Sequence, residues 1–351
     1  EGGGGELQTS TTSAPCELPE LKLICCRVDP ASSGTQQQQQ HPFTADASIH
    51  QRKRDPGTDR PEAGEETRPD RERRPAANMS ADVAVSLSVL AGIVALSDAT
   101  RRLLSRALAD TGLSVYAVEL VSTFQLCCCT HELKLLSEVG GIEPRLALTF
   151  TYLASVIHGL TFSGAIGNPS GALEHAYHAK FSGGCALRRI ACQFAAAAAA
   201  RAAVPVIWGI GLSGLHMRHK LLGYRCISPI HAPLHKAAAV ELACAFAVQT
   251  AITHTRSVEE KYRVHMVAAV IATVVYAGGS VTGAVFNPAL AFSTQFPCSG
   301  HSFLEYCLVY WLGPLLVVEE TTVPPSAPGN QEEDMSIVEK QLRLRDVCDR
   351  L

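Results

Sequence analysis

The stretch GAVFNPALAF, residues 283–292, places an Asn-Pro pair inside one of the most apolar regions of the chain. An earlier stretch, GAIGNPSGAL at residues 164–173, does nearly the same. Asparagine is a strong helix N-cap, and proline suits the first helical position, where its missing N–H would have no intrahelical partner. Asn168-Pro169 and Asn287-Pro288 therefore each predict a helix start. A single such pair reads as an ordinary turn or cap near water. Two pairs, each preceded by Gly-Ala and each set in apolar sequence, call for one explanation.

The surroundings supply it. Averages over the 351 residues, 47% hydrophobic, 18% charged and net charge −3, hide a sharp partition along the chain. Residues 1–78 are rich in Pro, Gly, Gln and charge, a composition that predicts a disordered prefix. Met79 stands just before the first long apolar run, so this prefix reads as an upstream extension or translated leader. Residues 319–351 are polar again and read as a tail. Between them lie apolar blocks at 83–97, 114–136, 146–162, 190–215, 237–253, 264–281 and 303–318. Most have about the length that crosses a bilayer as a helix, and they lack the polar face of a soluble amphipathic helix. The fold class is an all-α membrane protein whose immediate partner is the lipid bilayer. The first block, followed by Arg101, Arg102 and Arg106, reads as a further span or an interfacial helix. Several of the thirteen cysteines fall in apolar blocks, where a thiol packs as a small hydrophobe, and no CxxC or zinc spacing occurs. No metal, cofactor, enzymatic activity or nucleic-acid partner is expected.

The chain is also duplicated. AVELVSTF at 117–124 returns as AVELACAF at 239–246, and each copy leads to one Asn-Pro element. Each half, about 114–215 and 237–318, reads as a glutamate-bearing span, a second span ending at the Asn-Pro element, a short segment and a third span. Three spans per half is odd, so the second half enters from the opposite side, as an inverted repeat. Basic residues favour one orientation. Arg101, Arg102, Arg106, Lys180, Arg188, Arg189, Arg256, Lys261 and Arg263 fall on the side read as cytosolic, against Lys134, Arg145, Arg218, Lys220, Arg225 and Lys236.

The segments after the two prolines, 170–180 and 289–296, are too short to cross a bilayer. They predict half-helices whose preceding loops dip into the membrane, an arrangement tolerated where irregular backbone lines a cavity. Inverted symmetry brings the two N-termini together near mid-membrane. Their positive dipole ends and the amides of Asn168 and Asn287 would then favour neutral hydrogen-bond acceptors and oppose cations. Glu119 and Glu241 would face inward and accept from the loop N–H groups, with a proton-relay role as the lesser reading. His131-Glu132 begins like a zinc-protease helix, but Leu135 stands where the second histidine is needed, so the pair reads as a polar loop edge.

These residues resemble the aquaporin (major intrinsic protein) family, known for paired Asn-Pro-Ala boxes in an inverted repeat. The likeness covers about 114–314. It is most specific to the unorthodox, superaquaporin branch in FQLCCCTHELKLLSE (124–138), VYAGGSVTGAVFNPALA (275–291) and VYWLGP (309–314). The first box, Asn168-Pro169-Ser170, departs from the second, Asn287-Pro288-Ala289, as that branch does. The resemblance implies six transmembrane helices plus two re-entrant half-helices, one pore per subunit, a homotetramer and an endoplasmic reticulum membrane. It places the selectivity filter at Leu148, with Phe150 as rival, and at Val275, Ala284 and Leu290. Leu290 stands where the family usually has arginine, which implies a wider pore for water, glycerol or hydrogen peroxide. It also implies roles in assembly and function for Cys298, and makes Gln193 and Arg201 matching polar positions, Arg201 pairing with a loop carboxylate or snorkelling. The last block departs from the family by breaking into Glu319-Glu320 with no glycine after Pro314. Two further readings stay open: a non-conducting membrane scaffold, and an ion-coupled transporter using Glu119 and Glu241.

Overall fold

The computed structural model describes residues 76–316. The prefix read at 1–78, apart from its last three residues, and the tail read at 319–351 lie outside the described residues. Within them the chain is helical, and the one β-bridge joins Ile227 to Ser299. The long helices are α1 (Ala76–Ala107), α2 (Ser114–Glu138), α3 (Pro144–Thr161), α5 (Gly183–Gly209), α7 (Leu234–His254) and α8 (Glu260–Thr282). Two short helices, α4 (Pro169–Tyr177) and α9 (Pro288–Thr294), follow the Asn-Pro elements. Two further short helices are α6 (Gly214–Leu221) and α10 (Phe303–Cys307).

Local chemistry sets these boundaries. Pro144 opens α3 at its first turn, and Ser182 caps α5 by accepting from the Cys185 N–H at 3.3 Å. Ser302 and Glu305 form a reciprocal capping box on α10. Gly283 ends α8 in the left-handed region at φ 85°, a conformation glycine adopts without steric cost.

Among the described residues four helices are long and apolar enough to cross a membrane: α1, over Met79–Ala107, and α5, α7 and α8. Helix α2 is long but carries Glu119, Glu132, Lys134 and Glu138. It packs against α1 and α5, and Glu119 and Glu132 find partners on α5. The Arg101 guanidinium, 1% exposed, donates to the Gln125 Oε1 at 2.8 Å, and Gln125 donates on to Thr161 at 3.1 Å, linking α1, α2 and α3. Glu132 is buried, not at a loop edge. Its carboxylate accepts from the Trp208 indole at 2.7 Å and faces the His216 Nε2 at 3.1 Å, tying α2 to α5 and α6. A missing second histidine argued against a metal helix but said nothing of burial, and the partners come from distant sequence. Nearby, burial together with Lys134 and His216 holds the His219 imidazole below its ordinary range.

The last apolar block is broken. After α10 the backbone widens into a π-helical turn, Leu308–Leu312, and closes with Gly313–Leu315. Pro314 has no N–H to give an α-helical ladder. The segment still packs closely: the Tyr310 hydroxyl donates to the Thr282 carbonyl at 2.6 Å, and a Cβ on Gly313 would lie 3.0 Å from the Ala238 carbonyl oxygen of α7.

Helices α3 and α8 meet as closely at Gly159, where an added Cβ would come within 2.9 Å of the Val264 Cγ1. Valine is stiff about χ1 and cannot swing aside cheaply. Gly159→Ala is expected to cost about 1–3 kcal/mol by overpacking. Adding Val264→Ala should make the double variant less destabilised than the sum of the two changes, as thermal unfolding in detergent can measure.

Candidate functional site

The two Asn-Pro elements meet. Asn168 and Asn287 are the N-caps of α4 and α9, with nearly equal extended backbones at φ −145° and −144°, and each is followed by proline in the first turn. The Asn168 Oδ1 accepts from the Ser170 N–H at 3.0 Å. The Asn287 Oδ1 accepts from the N–H groups of Ala289 at 3.1 Å and Leu290 at 3.2 Å. The amide nitrogens then cross over. Asn168 Nδ2 donates to the Phe286 carbonyl at 3.2 Å, and Asn287 Nδ2 donates to the Gly167 carbonyl at 2.7 Å. Each acceptor is the residue immediately before the opposite asparagine. A side-chain amide has two hydrogens, so each asparagine spends one on the opposite loop and keeps one for another acceptor. The short helices end a little before the sequence suggests, at Tyr177 and Thr294.

The glutamates hold the loops behind those asparagines. The Glu119 carboxylate, fully buried, accepts from the N–H of Ile166 at 3.1 Å and of Gly167 at 2.6 Å. It also accepts from Gln193 Nε2 at 2.7 Å and Arg189 Nη1 at 2.8 Å. Glu241, also fully buried, accepts from Val285 N–H at 3.1 Å, Phe286 N–H at 2.6 Å and the Thr282 hydroxyl. Ile166-Gly167 and Val285-Phe286 occupy the same places before their asparagines. Gly167 and Phe286 both have positive φ, 65° and 39°, a twist that turns two successive N–H groups toward one carboxylate. For phenylalanine that conformation is strained, and the paired N–H groups oppose the strain.

The correspondence runs further along the repeat. On α7, Gln249 and Thr253 donate to Glu174 of α4, Thr253 at 3.1 Å. At the matching positions on α2, Cys127 and His131 face Ser293 of α9, with His131 Nε2 3.1 Å from its hydroxyl.

A cavity of about 1100 Å³ runs along this construction. Asn168 and Asn287 line it, as do Leu148, Phe150, Val275, Ala284 and Leu290. Its lining extends past Lys134 and Glu138, at the end of α2, and past Arg256 and Arg263, at the junction of α7 and α8. Since α4 and α9 start from one crossed pair of asparagines and reach Arg256 and Lys134 respectively, these two cations mark different ends. Ser170 sits beside a small void rather than in this lining, its hydroxyl buried without a partner among the described residues.

No family model matches the chain. Aquaporin-11 of Homo sapiens is 38% identical over 235 residues, which cover 67% of this chain and 86% of that protein. The chain belongs to the aquaporin family. Aquaporin-11 of Mus musculus, 36% identical over 233 residues, and the putative aquaporin-12A of Homo sapiens, 37% identical over 232, place it with the superaquaporins. With its long apolar helices this aquaporin is an integral membrane protein of a channel family.

The structure gives several residues of this aquaporin partners that their sequence reading did not name. Cys298 is joined in a disulfide to Cys226, at a sequence separation of 72. Arg201 pairs with no carboxylate among the described residues; its guanidinium lies over the rings of Phe292 and Phe296, at 5.6 and 5.5 Å. Arg101, Arg189 and Lys134 entered the charge bias as interfacial cations, yet all three are held inside against polar partners. Arg189, Glu174 and Glu132 were missed as partners. Extending the repeat alignment from Glu119 and Glu241 to Lys134 and Arg256 pairs these two cations, and is the signal that sequence offered.

The two glutamates differ in one respect that experiment can read. Glu119 has a buried arginine partner, whereas the partners of Glu241 among the described residues are neutral. Glu119→Ala strands Arg189 and is expected to cost about 3–5 kcal/mol. Glu241→Ala strands two loop N–H groups and should cost less, roughly 2–4 kcal/mol. Detergent unfolding midpoints should rank Glu119→Ala below Glu241→Ala, with both below the unmodified chain.

Proposed function

We propose that this aquaporin is a passive channel for water and small neutral solutes, glycerol and hydrogen peroxide among them. The observation that carries the reading is the crossed pair of asparagine amides in the wall of a long cavity. In this reading α2, α3, α5, α7, α8 and the segment beginning at α10 are the six spans, α1 is an added one, and α4 and α9 are re-entrant half-helices. The N-termini of α4 and α9, meeting at the cavity wall, place partial positive charge where a cation would have to pass.

The filter would consist of Leu148, Val275, Ala284 and Leu290, with Phe150 beside them, all in the cavity lining. Leu290 in the position usually held by arginine leaves an apolar wall on α9, suited to solutes larger than water. The Cys226–Cys298 disulfide supports an orientation with the far ends of α2 and α9 in an oxidising compartment. That side is the one poorer in Lys and Arg. An endoplasmic reticulum membrane fits this assignment, and a homotetramer with one pore per subunit follows the resemblance.

The glutamates favour a passive channel over ion-coupled transport, since Glu119 and Glu241 are engaged by loop N–H groups and other fixed donors. A non-conducting scaffold draws instead on the broken segment at 308–315. Stopped-flow light scattering on proteoliposomes separates these readings. The channel predicts osmotic shrinkage and glycerol or peroxide entry several-fold above empty vesicles with no ion gradient. Flux equal to empty vesicles would establish the scaffold, and flux only under a proton gradient the transporter.

A further inference from the structure

Leu290 removes a cation from α9, yet the cavity still has one beside that helix. Lys134, on α2, lines the same cavity as Leu290, Thr294 and Gln295. Its side chain is 18% exposed. Its Nζ donates to the Thr294 carbonyl at 3.3 Å and to the Gln295 Oε1 at 2.9 Å, at the far end of α9. Glu138, 3.7 Å away, is its carboxylate neighbour, and at 57% exposure that carboxylate is well screened by water.

We propose that Lys134 supplies from α2 the pore-lining positive charge that Leu290 withholds from α9, making it a specificity-determining residue that excludes cations. The inference rests on the channel reading above. Two observations make it more than a lysine capping a helix end. First, the hydrogen bonds of the ammonium go to a carbonyl and an amide, neutral acceptors, while its one carboxylate neighbour, Glu138, is 3.7 Å away and 57% exposed. Second, the position is paired across the inverted repeat. The repeat offset that aligns Glu119 with Glu241 aligns Lys134 with Arg256, which also lines the cavity. Arg256 stands 3.5 Å from Glu174, a carboxylate with 1% side-chain exposure, so its charge is largely offset there. Of the two related cations, Lys134 has the more exposed counter-ion, Glu138 at 57% against Glu174 at 1%, and so keeps the larger share of its charge toward a permeating ion. Neutral solutes feel little of this field, while a monovalent cation in a narrow, weakly polar passage meets direct repulsion.

The test uses the full chain in proteoliposomes, following glycerol entry by light scattering and proton and potassium entry by trapped dyes under an imposed potential. Lys134→Gln keeps amide donors for the α9 end and removes the charge. It should preserve glycerol entry and raise cation entry about tenfold or more. Lys134→Arg should retain the exclusion of the unmodified chain. Gln295→Glu leaves the lysine and its contacts in place but neutralises it, and should raise cation entry in the same direction, deciding the matter even if Lys134→Gln does not fold. Glycerol entry with unchanged cation exclusion in either neutralised variant would overturn the proposal and leave Lys134 as a helix cap. Absence of glycerol entry in the unmodified chain would overturn the channel reading and the proposal together.

Discussion

Buried backbone N–H and C=O groups cannot turn to bulk water, and this constraint shapes the centre of the molecule. The loops before Asn168 and Asn287 are irregular, so their groups lack a helical ladder. Glu119 and Glu241 accept the exposed N–H groups, and the asparagine amides of each half take up a carbonyl of the other. A buried carboxylate is costly unless fully bonded, and here the loop N–H groups supply those bonds. Loop and glutamate each need the other, which explains why the repeat preserves a glutamate and an Asn-Pro pair while neighbouring residues diverge between the halves.

The same dependence explains the asymmetry. Where the repeat has Glu174 on α4, it has Ser293 on α9, and each is met from the facing long helix by side chains at matching positions. A buried carboxylate on one side is met by a cation, Arg256; a hydroxyl on the other needs none, and Lys134 bonds neutral groups at the end of α9 with the more exposed Glu138 beside it. Divergence at one pair of positions thus changes the charge presented at one end of the cavity. The added helix α1 is bound by a comparable exchange, through Arg101 and Gln125, rather than by apolar contact alone.

Helix starts and the repeat were legible because their signals are local: a capping residue followed by proline, and an eight-residue likeness around each glutamate. The helical class was legible in the apolar blocks. Side-chain partners were less so. Arg189 lies 70 residues from Glu119 and looks like an interfacial charge after a loop, and Trp208 and His216 approach Glu132 from two other helices. Nothing in the period or composition of either segment points to the other. The cysteine pair was hidden for the same reason, its members lying in separate loops that only the folded chain brings together. The break in the last helix, by contrast, had a local signal in Pro314, outweighed by the continuous run of apolar residues around it.

The account depends most on the crossed asparagine bonds acting as one unit that joins the two halves. A double-mutant cycle on Asn168→Ala and Asn287→Ala, read as thermal stability in detergent, tests this directly. The account predicts strong non-additivity, with the double variant losing little beyond the worse single one and a coupling of about 1 kcal/mol or more. Losses that add to within about 0.5 kcal/mol would show two independent caps and contradict it.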